Sequence, residues 1–331
     1  ALSGDGKKLA FAVRTENTRV WVLPMDALQG RVQGGGRPET PAGVQADVPD
    51  LSPDGKKLAF RGQQGTRWEL RIRSLEDGQE TLLGTSLGYN AFFVPRWSRD
   101  GARVAYRRYQ PGPKPDVPGT YSIVLVAADG SNEQMLAAPT QTAQTPYDWS
   151  LDGQWLVVSA RPTDSPRAAL WLYPVSAAPR AETERRLLAS SREHNLWQGR
   201  FSPDGRWIAF NAPPAPTGGT SPIYVISPEG GEWRPIVQDG HFNDKPRWSP
   251  DGRILYFISN RGGFFNVWGI RFDADQGRPV GEPFRVTAFE GPGRMISTRV
   301  GYNEISVVPN KLALPITEIS GNIWVLEGVE R

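Results

Sequence analysis

The apolar positions of this chain recur in a fixed phrase rather than at a helical period. Ser52-Pro53-Asp54-Gly55 is followed by Leu58-Ala59-Phe60, and the phrase starts again at Ser3, Ser98, Ser150, Ser202 and Ser249. A worn seventh copy starts at Ser306, where Pro309-Asn310 replaces the Asp-Gly pair. The copies lie 46 to 57 residues apart. Six residues after each Ser stands an aliphatic side chain, as at Leu58, Val104 and Ile208. Two further on comes a second large apolar one, as at Phe60, Tyr106 and Phe210. Just before the Ser sits another, among them Trp97, Trp149 and Trp248. Their shared position marks these tryptophans as core.

Each copy predicts antiparallel strands. The first ends before the Ser, and Asp-Gly turns the chain with φ > 0 at low steric cost. The Leu-Ala-Phe segment is the second strand. A β-rich run such as Val20-Trp21-Val22 or Leu170-Trp171-Leu172 is the third, and a shorter fourth follows in most copies. Four short strands and their turns fill about 46 residues. A repeat of that length predicts an all-β, seven-bladed β-propeller of four-stranded antiparallel blades. The expected blades are 1–40, 44–84, 91–138, 143–190, 195–239, 243–290 and 300–331, forming one domain. The last copy lacks an evident fourth strand; the ring closes either through a preceding segment or by residues 1–3 pairing with the last blade, and the first and last copies are expected to touch.

Composition narrows the function. Lys and Arg number 38 against 35 Asp and Glu, a net charge of +3 with no basic cluster, which argues against a nucleic-acid partner. The chain has no Cys, which excludes disulfides and thiolate metal sites. No apolar run approaches the ~18 residues of a membrane span. With no initiator Met, the sequence reads as a mature chain or an excised domain.

The phrase Trp248-Ser249-Pro250-Asp251-Gly252, continuing through Leu255-Tyr256-Phe257 and Asn266-Val267-Trp268, resembles the WD40-like PD40 repeat of TolB-type propellers. The resemblance covers essentially the whole chain and specifies fold more than function. It implies a periplasmic or extracytoplasmic protein of the bacterial envelope. It also implies a sensor or scaffold domain of the kind attached to kinases and transcription regulators.

Candidate site residues fall in two groups. One face of the ring should carry the loops between second and third strands and the links between blades. Pro-rich loops at 110–119, 161–166 and 213–219 rise there. His194 and His241 occupy equivalent links eight residues before their Ser, with Trp197, Phe242, Asn243 and Asp244 nearby. Trp197 and Trp233 break the core register and read as exposed aromatics. The second group lines the channel. Asp50, Arg96, Asp148, Arg200 and Arg247 each stand two residues before a Ser, and the arginines are suited to an anionic group.

The expected function is non-catalytic binding of a protein, peptide or cell-envelope fragment by a monomer, with no cofactor and no metal. The alternative is a hydrolase or lyase acting on an oligosaccharide or peptide at the channel mouth. Asp47, Asp148, Asp244, His194 and His241 are its only plausible acid and base groups. Pectin-fragment lyases of the family use three His and a Gln on a metal, and this chain has two His. Gly84-Thr85-Ser86-Leu87-Gly88 matches a nucleophile elbow but lies between strands. Asp273–Gly277 lacks the later Glu of a calcium loop and reads as a turn.

Overall fold

Each Ser-x-Asp-Gly phrase builds the same turn. The Ser hydroxyl donates to the Asp carboxylate at 2.5–2.6 Å, from Ser52 to Asp54 and likewise at Ser98, Ser150, Ser202 and Ser249. The same hydroxyl oxygen accepts the backbone N–H that opens the next strand, as from Lys57 and Trp155. Gly55 closes the turn on the Ser52 carbonyl with φ at 68°, a conformation that suits Gly.

These bonds carry a pH signature. The Ser hydroxyl and a backbone N–H two residues on hold Asp54, Asp100 and Asp152 below the ordinary carboxylate range. At Asp204 burial opposes the same bonds and is outweighed. A carboxylate depressed on folding stabilises fully above its unfolded pKa, near 3.8. That contribution is lost as pH falls through the folded values. Urea melts between roughly pH 6 and pH 2 are therefore expected to hold their midpoint until about pH 4, then fall. Asp152→Asn keeps an acceptor without a titrating charge and should flatten part of that fall; an unchanged slope would count against the turns as its source.

The computed structural model describes residues 3, 7–87, 94–114, 116–176, 183–214, 219–297, 301 and 303–327, and all its described strands are antiparallel. Five four-stranded blades follow one another. Blade I runs from Ala46–Leu51 to Glu80–Leu87, and blade II from Arg96–Trp97 to Gln134–Thr140. Blade III runs from Gln144–Trp149 to Arg186–Ala189, blade IV from Trp197–Phe201 to Arg234–Val237, and blade V from Asn243–Trp248 to Arg278–Arg285.

The sixth blade corrects the expected count of seven. Copy seven supplies its first two strands, Ser306–Val308 and Lys311–Glu327. Copy one supplies the next two: Lys8–Asp26 pairs along Lys311–Glu327, and Arg37–Pro38 pairs with Trp21 and Val22. The first and last copies do meet, but inside one blade. Among the described residues, copy seven supplies no fourth strand and copy one no first strand to the blade. Two partial copies thus make one blade VI. Beyond it, Lys8–Asn17 and Glu318–Glu327 continue as a two-stranded ribbon exposing Phe11 and Trp324. The Asp5-Gly6 turn of copy one lies outside the described residues.

One apolar cluster fills each junction between neighbouring blades. Trp97 and Tyr106 pack with Trp68 and Leu70 between blades I and II, and Trp149 and Val158 with Ile123 and Leu136 between II and III. The ring closes through Leu314 and Tyr256 between V and VI, and through Val22 and Phe60 between VI and I. Blades buried on both faces explain why their strands are apolar in runs. The register tryptophans are indeed core, and each also ties two blades together. Trp97 Nε1 donates to the Asp50 carbonyl, Trp149 Nε1 to that of Arg96 and Trp248 Nε1 to that of Arg200, each at 3.0 Å.

Candidate functional site

The first strand of every blade ends at the channel, and the position two residues before Ser forms a ring. Its members are Asp50, Arg96, Asp148, Arg200, Arg247 and Glu304, one from each of blades I to VI. Sequence reading named five and missed Glu304. The signal was present, because Glu304 keeps the register of Ser306, but copy seven is worn and its position was not carried through.

Glu304 is the hub. Its Oε2 lies 3.0 Å from Arg96 Nη2 and 3.4 Å from Arg200 Nη2, and it accepts from Arg247 Nη2. Its Oε1 accepts from Gln198 Nε2 at 2.7 Å. Burial alone would raise the Glu304 pKa. Arg96 and Arg247, with Lys245 and Arg200, outweigh it and hold the carboxyl far below its ordinary range. The cations show the converse. Burial, then the guanidiniums of Arg247 and Arg96, push the Arg200 pKa down.

Strand bulges make this crowding possible. Val48, Gln198 and Lys245 each stand four residues before a Ser and have φ of 52°, 60° and 61°. Each falls within a register shift of its first strand. Left-handed backbone costs a non-glycine residue about 1–2 kcal/mol, and such strain gathers where side chains must be aimed. Gln198 reaches Glu304, and Lys245 folds back on Asp244, with Nζ to Oδ2 at 2.8 Å.

The ring faces a cavity of about 300 Å³ on the side of the Asp-Gly turns, bounded by Pro53, Pro203, Pro250 and Pro309. Arg96, Arg200 and Arg247 line it, so the channel half of the candidate set opens away from the loop-rich face. On that other face, His194 and His241 share a separate cleft of about 260 Å³ over blade IV, between the links that enter and leave it, with Tyr224 and Asp239 in its wall. The equivalent links have brought the two histidines to one place.

The remaining candidates divide. Asn243 is buried and braces the cleft, donating to Asp239 and accepting from Arg261. Phe242 packs edge-on against Phe265. Trp197 opens the first strand of blade IV, and Asp244 is buried and paired with Lys245, and neither lines the histidine cleft. Trp233 is packed against Phe210 and Tyr224 and does not stand free. Asp239 escaped notice because it lies outside the repeated register; it meets His241 Nδ1 at 3.4 Å and Arg261 at 2.5 Å.

The acids nominated for catalysis are engaged. Asp47 takes a two-pronged bond from Arg61, Asp244 is held by Lys245, and Asp148 takes Arg99 and the N–H of Phe201. No group of three His, Cys, Asp or Glu able to hold a metal ion occurs among the described residues. No helix there is long and apolar enough to cross a membrane. The elbow-like Gly84–Leu87 stretch lies in the fourth strand of blade I, with Gly88 outside the described residues. Asp273–Gly277 is a turn closed on the Asp273 carbonyl. Residues 115 and 215–218 of the Pro-rich loops also lie outside the described residues.

Comparison with known proteins agrees with this architecture. The Tol-Pal system protein TolB of Anaeromyxobacter dehalogenans strain 2CP-C is 30% identical over 217 residues, which cover 60% of this chain and 45% of that protein. The alignment thus spans less than half of that curated relative. The structure of putative TolB from Agrobacterium tumefaciens matches with a TM-score of 0.63 at 18% identity, over 92% of this chain and 99% of that one. Oligogalacturonate lyase from Vibrio parahaemolyticus matches with a TM-score of 0.53 at 12% identity, over 96% and 88%. At such identities the two structures share a fold with this chain, and a fold alone assigns no activity. The family model of the PD40 TolB beta propeller domain matches residues 112–283, just over half of the sequence, and the chain belongs to that family.

Proposed function

We propose that this chain is a non-catalytic recognition propeller. It seats a peptide or protein segment on its loop-rich face, over the cleft of His194 and His241, in an extracytoplasmic setting. The observation that carries the reading is the state of the carboxylates that catalysis would need. Asp47, Asp148 and Asp244 are each bound to a cation, whereas general acid–base work needs a carboxyl or imidazole free to exchange a proton with substrate. A rigid ring with variable loops on one rim is a scaffold for binding. A relative named for the Tol-Pal system fits a role among envelope proteins.

The test is titration of the purified chain with envelope-derived peptides and with oligogalacturonides, with each ligand recovered and weighed by mass spectrometry. Peptide is expected to bind and return intact, and His241→Ala to weaken it several-fold. Consumption of either ligand would remove the non-catalytic reading. Binding that ignores both histidines would move the site elsewhere.

A further inference from the structure

We infer that the turn-side mouth of the channel is a binding site for a small oxyanion, a carboxylate or phosphate group, gripped by Arg96, Arg200 and Arg247. Charge is the first reason. Three buried guanidiniums from three blades share one carboxylate, Glu304. The other ring acids, Asp50 and Asp148, offset the ring's positive charge from a distance but direct their oxygens to other donors. Asp50 accepts the N–H of Trp97, and Asp148 accepts the N–H groups of Trp149 and Phe201 and the exposed end of Arg99.

Unused donors are the second reason. Arg96 is 2% exposed and Arg200 4% exposed, and Nε of each has no hydrogen-bond acceptor. Arg96 Nη2 meets Glu304 as an ion pair but without hydrogen-bond geometry. Buried donors left without acceptors are costly, so few are retained without cause. An oxyanion brings both countercharge and lone pairs, and planar guanidiniums suit it in pairs. Room is the third reason. The cavity of about 300 Å³ adjoins these side chains, and a water's share of liquid is only about 30 Å³. Burial and the neighbouring guanidiniums push the pKa values of Arg200 and Arg247 down, while Glu304 and Asp148, with Asp50 at Arg247, act the other way. This mouth lies on the opposite face of the ring from the histidine cleft, so the inference stands apart from the peptide reading.

The experiment is titration of the chain with sodium phosphate and with succinate, at ionic strength held constant with chloride, followed by calorimetry and melting temperature. Saturable binding and a rise in Tm are expected. Arg200→Met should weaken binding about tenfold or more, whereas the exposed Arg278→Met should leave it unchanged. Selenate soaked into wild-type crystals locates the site without any variant, and its anomalous peak should lie within hydrogen-bond reach of Arg96 and Arg200. A short peptide with a free C-terminus, set against its amide, separates the sources. Binding of the acid alone assigns a peptide end, and binding of phosphate with neither peptide assigns a free ion. No stabilisation beyond that of chloride overturns the inference. So does selenate elsewhere, or an Arg200→Met variant that binds as the wild type does.

Discussion

Glu304→Gln is expected to cost about 3–5 kcal/mol of folding stability, the range for breaking a buried ion pair by removing one partner. The substitution keeps the shape of the side chain and one acceptor for Gln198. What it removes is, among the described residues, the only carboxylate in contact with the guanidiniums of Arg96, Arg200 and Arg247. Those three cations then face one another in a site nearly closed to water. The Glu304 pKa is depressed on folding, so its contribution is complete above its unfolded pKa, near 4.5, and is lost only as pH falls through the folded value. The difference between wild type and variant in urea melts should therefore be level from neutral pH down to about pH 5, and should shrink only in stronger acid. A second variant separates charge from shape. Adding Arg247→Met to Glu304→Gln removes one of the stranded cations, and should recover part of the loss. A loss below about 1 kcal/mol, the usual worth of a surface pair, would show that the ring is solvated and that Glu304 is no hub.

Much of this was legible in the repeat because each signal is local. Ser52, Asp54 and Gly55 specify one turn within four residues, and the chain uses it five times with the same bonds. Leu58 and Phe60 fix which strand follows. The blade count depends instead on which partial copy pairs with which. That choice is made between Val20–Leu23 and Leu312–Pro315, almost 300 residues apart, where no local motif records it. The same distance hid Glu304, since its meaning comes from Arg96, Arg200 and Arg247 on other blades. The histidines were legible as equivalent links, and the fold made them neighbours. Asp239, Gln198 and Lys245 were not, because their roles arise from bulges and loop geometry that apolar periodicity does not encode.

Trp149→Ala is expected to cost about 3–5 kcal/mol, the range for deleting a large buried aromatic side chain. Trp149 is wholly buried between blades II and III, among Ile123, Leu136, Leu156 and Val158. Its indole does more than fill space. Nε1 donates to the carbonyl of Arg96, so core packing and the aim of a ring arginine share one side chain. Trp149→Phe keeps most of the volume and loses that bond, leaving a buried carbonyl short of a donor at about 1–3 kcal/mol. A double-mutant cycle between Trp149→Phe and Glu304→Gln tests the link, since both changes act on Arg96 from opposite sides. Groups that share a partner couple by about 0.5–3 kcal/mol, whereas independent sites add within about 0.3–0.5 kcal/mol. Coupling is therefore expected here, and should be weaker when Trp97→Phe replaces Trp149→Phe, because Trp97 donates to Asp50, which does not touch Glu304. Additive behaviour of Trp149 and Glu304 would mean that the charged ring and the apolar wedges behind it are separate structures. Coupling confined to Trp149 would mean that the packing between blades sets the geometry of the charged ring.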